Sequence, residues 1–235
     1  MIVSPSALNQ FFTCPAQYKY QRIEKSPTIY TDRQKADVGV DIHSAIQYYF
    51  SKVQEKPRKI ELTDGIKRAW AEVIGDKYRS DRVLNHRVTQ SMKNFTNFEI
   101  HRRKNWKIYL PTYTEKHLQN EEFRGIVDWY NEEMCVIIDW KTGNMNELTM
   151  KDHRQGEIYK NLLNSINKPV NNIYFVNLSS GRILEMPKVQ NDWIQNETHR
   201  LKSAIASNDF PKQPSVLCGY CPYVITCEFE GEMLW

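Results

Sequence analysis

Three residues in one short stretch have the chemistry to break a phosphate ester: Asp128, Asp139 and Lys141. They stand in Arg124-Gly125-Ile126-Val127-Asp128-Trp129 and Val136-Ile137-Ile138-Asp139-Trp140-Lys141-Thr142-Gly143. On a strand, Asp139 and Lys141 leave the same face because alternate side chains point the same way. The apolar run Val136 to Ile138 buries that strand in a sheet. If Asp128 lies across a hairpin from them, two carboxylates can hold a hard divalent cation and leave positions for water and a phosphate. Lys141 would then stabilise the charge that builds on the phosphorus oxygens. A salt-bridged hairpin end accounts for the same spacing, and spacing alone does not choose between the two.

Positioning these residues needs strands behind them and helices around them. The stretches Trp106 to Lys116, Phe123 to Trp129 and Met134 to Trp140 read as strands, with a tight turn at Asn131-Glu132-Glu133. A helix is predicted from Glu147 to Leu163, strands at Asn172 to Leu178 and Arg182 to Glu185 around Ser180-Gly181, and a helix from Asp192 to Ala206. Upstream the apolar spacing is helical over Lys35 to Lys52, Ile66 to Tyr78 and Val83 to Arg102. The chain opens on a helix capped by Ser4 and started by Pro5, which Cys14-Pro15 interrupts at a bend. Lys56-Pro57-Arg58-Lys59 reads as an exposed loop. The order predicts a mixed α/β core with a helical N-terminal part.

A second constellation is sulfur. Cys218, Cys221 and Cys227 form a C-x-x-C-x5-C cluster, and Cys14 supplies a fourth thiol from the other end. Four thiolates satisfy either tetrahedral zinc or a four-iron, four-sulfur cluster, and the spacing does not separate them; reduced, unliganded cysteines are the plain alternative. Cys135, inside an apolar run, reads as a small core residue.

The motifs resemble those of the PD-(D/E)XK nucleases, in their RecB-like branch. Gly125 to Asp128 with Asp139-Trp140-Lys141-Thr142-Gly143 resembles that branch's G-x-x-D … D-x-K-T-G core. Gly39-Val40-Asp41-Ile42-His43 resembles its G-x-x-x-H helix motif, and Gln155-Gly156-Glu157-Ile158-Tyr159 its Q-x-x-x-Y motif. The motifs follow family order across residues 4–230. The resemblance implies a restriction-endonuclease-like mixed β-sheet core flanked by helices, in a single nuclease domain over 1–235. Within it 1–104 would be mainly helical, 105–207 the nuclease core, and 208–235 the cysteine segment completed by Cys14.

The resemblance further implies that His43, Asp128, Asp139 and the backbone carbonyl of Trp140 ligate Mg²⁺ or Mn²⁺, and that Lys141 is the catalytic lysine. A nitrogen ligand favours manganese. Asp139 stands where many relatives have glutamate. Gln155 and Tyr159, one helical turn apart, would face the site or a nucleic-acid strand. Glu115 is either part of the outer metal shell or a surface charge. The cysteine layout is similar to that of AddB and the CRISPR-associated protein 4 family. Cys14, Cys218, Cys221 and Cys227 would accordingly hold a 4Fe-4S cluster that staples the chain ends.

The implied activity is a metal-dependent deoxyribonuclease, a single-strand DNA exonuclease preferring the 5′ end with possible endonuclease action. The alternative is a catalytically idle nuclease fold that binds nucleic acid as a scaffold with CRISPR-adaptation or recombination proteins. A third reading is a zinc or electron-transfer protein whose acids are incidental. Two basic-aromatic patches, Tyr18, Lys19, Tyr20 and Arg22, and His101-Arg102-Arg103-Lys104, either contact DNA or are solvated helix ends.

Composition is compatible with all of this. The chain has 235 residues, 40% apolar and 26% charged, which is a soluble globular composition rather than a disordered one. Its 32 Lys and Arg against 28 Asp and Glu give +4, enough to meet a polyanion and too little for a dedicated electrostatic clamp. There is no long apolar run to span a membrane. The first residues lack the features of a secretory signal, so a cytoplasmic location is expected.

Overall fold

Ser4 caps the first helix as its residue type predicts. Its Oγ accepts from the Ala7 amide at 3.2 Å, and Pro5 opens α1 (Pro5–Thr13). The computed structural model describes residues 1–28, 34–55, 61–106, 110–188 and 193–227. Pro15 disfavours helical geometry at the residue before it. Cys14 is accordingly extended (φ −161°, ψ 111°), and α2 (Pro15–Tyr18) restarts beyond it into a π-helical turn, Lys19–Glu24. Cys14 therefore sits at a bend, as the sequence implied.

The long helices come next: α3 (Gln34–Glu55), α4 (Leu62–Ala69) with a π-helical turn at Trp70–Ile74, and α5 (Arg82–Asn105). The core elements are β1 (Tyr113–Gln119), β2 (Arg124–Asn131), β3 (Val136–Lys141), α6 (Met150–Asn164), β4 (Asn172–Asn177), β5 (Ile183–Glu185) and α7 (Trp193–Ser207). The strands form one sheet in the order β1-β2-β3-β4-β5. β3 and β4 are parallel, joined by the α6 crossover, and the other neighbours are antiparallel. This is the mixed α/β, restriction-endonuclease-like architecture that the motifs implied.

Each face of the sheet has its own core. Trp129, Ile138, Trp140 and Val176 pack with Ile42, Tyr49, Phe50, Val88 and Phe95 of α3 and α5. Val127, Tyr130, Ile137 and Phe175 pack with Leu8, Ile158, Leu162 and Leu201 of α1, α6 and α7. β3 is thus covered on both faces, which explains its unbroken apolar run.

Three sequence expectations shift. β1 starts at Tyr113 rather than Trp106, because the Trp106 amide donates to Arg102 O at 2.8 Å and ends α5, while its ring packs on Trp129. Residues 107–109 of that expected strand lie outside the described residues, as do the Lys56 to Lys59 loop and Asp192. The turn after β2 falls at residues 132–135, with Cys135 at φ +55°. A left-handed turn position keeps Cys135 half-buried at the end of the hairpin, out of the core. Both basic patches, finally, are partly engaged in the fold, while His101 and Lys104 stay exposed. Tyr18 is buried against Phe11 and Phe210, Lys19 pairs with Glu24 at 3.1 Å, and Arg22 Nε donates to Gln10 Oε1 at 2.9 Å. Arg102 is fully buried, bonded to Glu99 at 2.8 Å, and Arg103 donates to Glu99 and Tyr49. No helix among the described residues is long and apolar enough to cross a membrane.

Candidate active site

β2 and β3 pair at Asn131–Val136, Tyr130–Ile137 and Trp129–Ile138, and then part. Continuing that register brings Asp128 opposite Asp139. There a side chain takes over from the ladder, because Asp128 Oδ2 accepts from the Trp140 amide at 2.8 Å. On its other side Asp128 lies level with Glu115, between the Thr114–Trp129 and Lys116–Val127 pairs of β1 and β2. Glu115 has φ +46°, a left-handed conformation that side chains other than glycine seldom adopt. The strand faces also change over here. Val127 and Tyr130 point to the α6 side and Trp129 to the α3 side, which strict alternation forbids. Asp128 therefore sits at a break in the sheet, drawn into neither core.

His43 reaches this break from α3. Gly39, one turn earlier, allows the approach, since a Cβ there would stand 2.9 Å from Thr142 Oγ1. His43 Nδ1 lies 3.4 Å from Glu115 Oε1 and 3.5 Å from Asp128 Oδ2. Each of the three offers a donor within 4.8 Å of the others, the one such group among the described residues. An octahedral ion at its usual ligand distance spaces neighbouring donors by about 3 Å, so only a small contraction is needed.

The second half of the site lies on the α6 side. Lys141 Nζ is 2.8 Å from Asp139 Oδ2 and donates to Gln155 Oε1. Gln155 Nε2 donates to Asp139 Oδ1 and to the Tyr159 hydroxyl, both at 2.7 Å. The Tyr159 ring fits because Gly125 has no side chain; a Cβ there would be 2.9 Å from it. The two motif glycines thus serve the same purpose, each leaving space for a residue of another motif.

The electrostatics call for added positive charge. Asp128 is held well above the usual carboxylate range by burial first and by Asp139 next, with His43 opposing. Burial works against charge on His43, but Asp128, Glu115 and Asp139 outweigh it and push the imidazole up to about 9. Burial likewise disfavours charge on Lys141, yet Asp139 and Asp152 hold it above its ordinary value. Asp139 Oδ2 is buried and accepts no well-angled hydrogen bond, despite the nearby ammonium. A divalent cation would satisfy that oxygen and relieve the crowded carboxylates. The donor set therefore fits a hard or borderline cation.

Of the expected residues, the structure groups His43 with Asp128 and joins Asp139, Lys141, Gln155 and Tyr159 in one hydrogen-bonded chain beside them. Trp140 lends its amide to Asp128 and buries its ring in the α3 side core. Glu115, level with Asp128, joins the His43 group. The signal for it was the β1–β2 register, fixed by Asn120 Oδ1 accepting from the Glu122 and Phe123 amides at 3.0 and 2.7 Å. Apart from this group, Cys14, Cys218, Cys221 and Cys227 line one cavity of about 200 Å³.

Acids and one lysine at the parting of two central strands, on a helix-flanked mixed sheet, define a nuclease-type α/β site. The chain belongs to the PD-(D/E)XK nuclease superfamily, whose family description matches residues 2–228. Nucleases of this superfamily use divalent metals. Two of the solved structures similar to it each share 13% identity with it. One is a "Putative exonuclease" from Eubacterium rectale, covering 98% of this chain and 94% of that one, with a TM-score of 0.47. The other, SSO0001, covers 80% of this chain and 97% of that one, with a TM-score of 0.39. No curated protein matches the chain.

Proposed function

We propose that the chain is a Mg²⁺- or Mn²⁺-dependent deoxyribonuclease, acting on single-stranded DNA from the 5′ end, with Asp128, Asp139 and Lys141 at its centre. The observation that carries this is the convergence of His43, Glu115, Asp128, Asp139 and Lys141 at one break in the sheet. His43, Asp128, Asp139 and the Trp140 carbonyl would hold the cation, with Glu115 as a further oxygen donor. The cation supplies a lowered water pKa and neutralises phosphate charge. Lys141 then directs its ammonium at the oxygen that gains charge as water attacks phosphorus. Gln155, bonded to both Asp139 and Lys141, keeps the pair in register, and Tyr159 fixes Gln155. The strand and end preferences rest on the RecB-like resemblance, as does work alongside CRISPR-adaptation or recombination proteins.

The cysteine cavity supports the cluster half of this reading. Cys221 is raised by burial first, then by Cys14, Cys227 and Cys218, with a backbone hydrogen bond opposing. Four thiols that repel one another as anions suit a cationic iron core. The cluster would join α1 to the C-terminal segment of one nuclease domain.

The deciding experiment is digestion of end-labelled single- and double-stranded DNA, linear and circular, in Mg²⁺, Mn²⁺ or EDTA. Metal-dependent products from linear single strands are expected. Tight binding with no products in either metal would overturn catalysis in favour of a scaffold.

A further inference from the structure

A groove of about 700 Å³ meets the catalytic group at Gln155 and Tyr159, and its lining differs in kind from that group. Gln155 and Tyr159 form its inner end. Its outer wall is the far end of the β1–β2 hairpin, and the N-terminus of α1 borders it. No acid lines it, although the chain carries 28. Arg124 lines it, is exposed, and its side chain has no partner among the described residues. Ile126, 38% exposed, offers an apolar surface beside it.

The hairpin register sets these groups in steps. Glu115 lies level with Asp128, His117 pairs with Ile126, and Gln119 pairs with Arg124. Each step covers two residues, about 6.8 Å of strand. That interval is close to the spacing of successive phosphates along an extended single strand. A cationic side chain thus stands at the second step, a histidine at the first, and the acid-rich centre at the origin.

We propose that this groove is the binding lane for the nucleic-acid strand flanking the reacting phosphate, with His117 and Arg124 meeting successive phosphates and Ile126 meeting a base. The lane rests on the nuclease reading for its ligand.

The test measures binding of a labelled single-stranded oligonucleotide by fluorescence anisotropy in EDTA, across a salt series. Arg124→Glu and Arg124→Gln are compared with the parent and with Lys67→Glu, which reverses an exposed charge on α4. Each lost phosphate contact should flatten the slope of log affinity against log salt by about 0.7. Both Arg124 variants are expected to show that loss and Lys67→Glu is not. Equal slopes in parent and Arg124 variants, or a parent that binds no oligonucleotide, would overturn the lane. Metal-dependent cleavage by the parent is scored separately. Its absence alongside the slope change would sink the nuclease reading and leave the lane standing.

Discussion

The acidic site and the cysteine cavity are built on opposite principles. Every side chain in the first is placed by a regular element: His43 by α3, Glu115, Asp128 and Asp139 by adjacent strands, Gln155 and Tyr159 by α6. Its polar atoms hold one another through hydrogen bonds at 2.7 to 2.8 Å. The cysteines stand on a bend, a 3-10 turn and the turns after it, with Cys14 and Cys227 at opposite ends of the described chain. A site made by secondary structure persists without its ion, whereas a site made by chain ends depends on what binds there. The acidic site should therefore govern rate and the cysteine site stability.

The sharpest way to break that contrast is Asp128→Asn together with Lys141→Ala. Each should lower cleavage of single-stranded DNA by about a thousandfold, the order reached when one charge-stabilising group is lost. Asp128→Asn also removes a carboxyl that burial first and Asp139 next disfavour, at the loss of its attraction for His43, so its melting temperature in EDTA should change little. A marked fall in melting temperature would show that the acids are structural, and the division of labour would fail.

Cys14→Ala tests the other half. Loss of iron and of visible colour is expected, with a lower melting temperature and cleavage falling only in proportion to unfolding. Cross-linking so long a loop is worth about 5 kcal/mol in the chain-entropy picture, an upper bound here. Calorimetry and iron analysis on the same preparation check it. A variant as stable as the parent refutes the staple, and one that stays folded yet loses cleavage ties the cluster to the chemistry.

The acidic region has its own pH signature in the metal-free protein. The His43 pKa is raised from about 6.5 in the unfolded chain to about 9 when folded. Its contribution to stability is therefore complete below about 6.5 and is lost as pH rises through about 9. Urea midpoints in EDTA should fall across that window in the parent, and His43→Gln should flatten the fall. An equal slope in both proteins would place the titration elsewhere. Cys221, a thiol raised by burial, makes stability fall in the same direction, but only above its ordinary value of 9.0 and so beyond the His43 window.

Most of the acidic site was legible because local pattern encodes it. Asp139 and Lys141 share a face by strand period, and Gln155 and Tyr159 share one by helix period. What periodicity misses is the irregularity that does the assembling. Glu115, left open by the sequence between the metal shell and the surface, meets His43 only because the Asn120 turn fixes the register and its own backbone turns left-handed. Two of the helix-end cations differ from expectation for a related reason. Arg102 and Arg103 look like a solvated basic run, but the buried Glu99 three and four residues earlier draws both inward. Charge runs show sign, whereas burial is decided by a partner's reach. The cysteines were legible as a set from spacing, while their shared cavity required the fold.

The smallest expected effect probes how finely the acidic site is tuned. Tyr159→Phe removes the hydroxyl that accepts from Gln155 Nε2 and leaves the ring against Gly125. Gln155 keeps its bonds to Asp139 and Lys141, so the cost should be that of one hydrogen bond, about 1 kcal/mol or roughly fivefold in kcat. KM should not move if Tyr159 acts through Gln155 rather than on the strand. A rise in KM with kcat intact would instead make Tyr159 a direct contact at the mouth of the groove. Gln155→Glu provides the companion measurement: an added carboxylate beside Asp139 should cost more than the missing hydroxyl, because it repels the aspartate that the amide now supports.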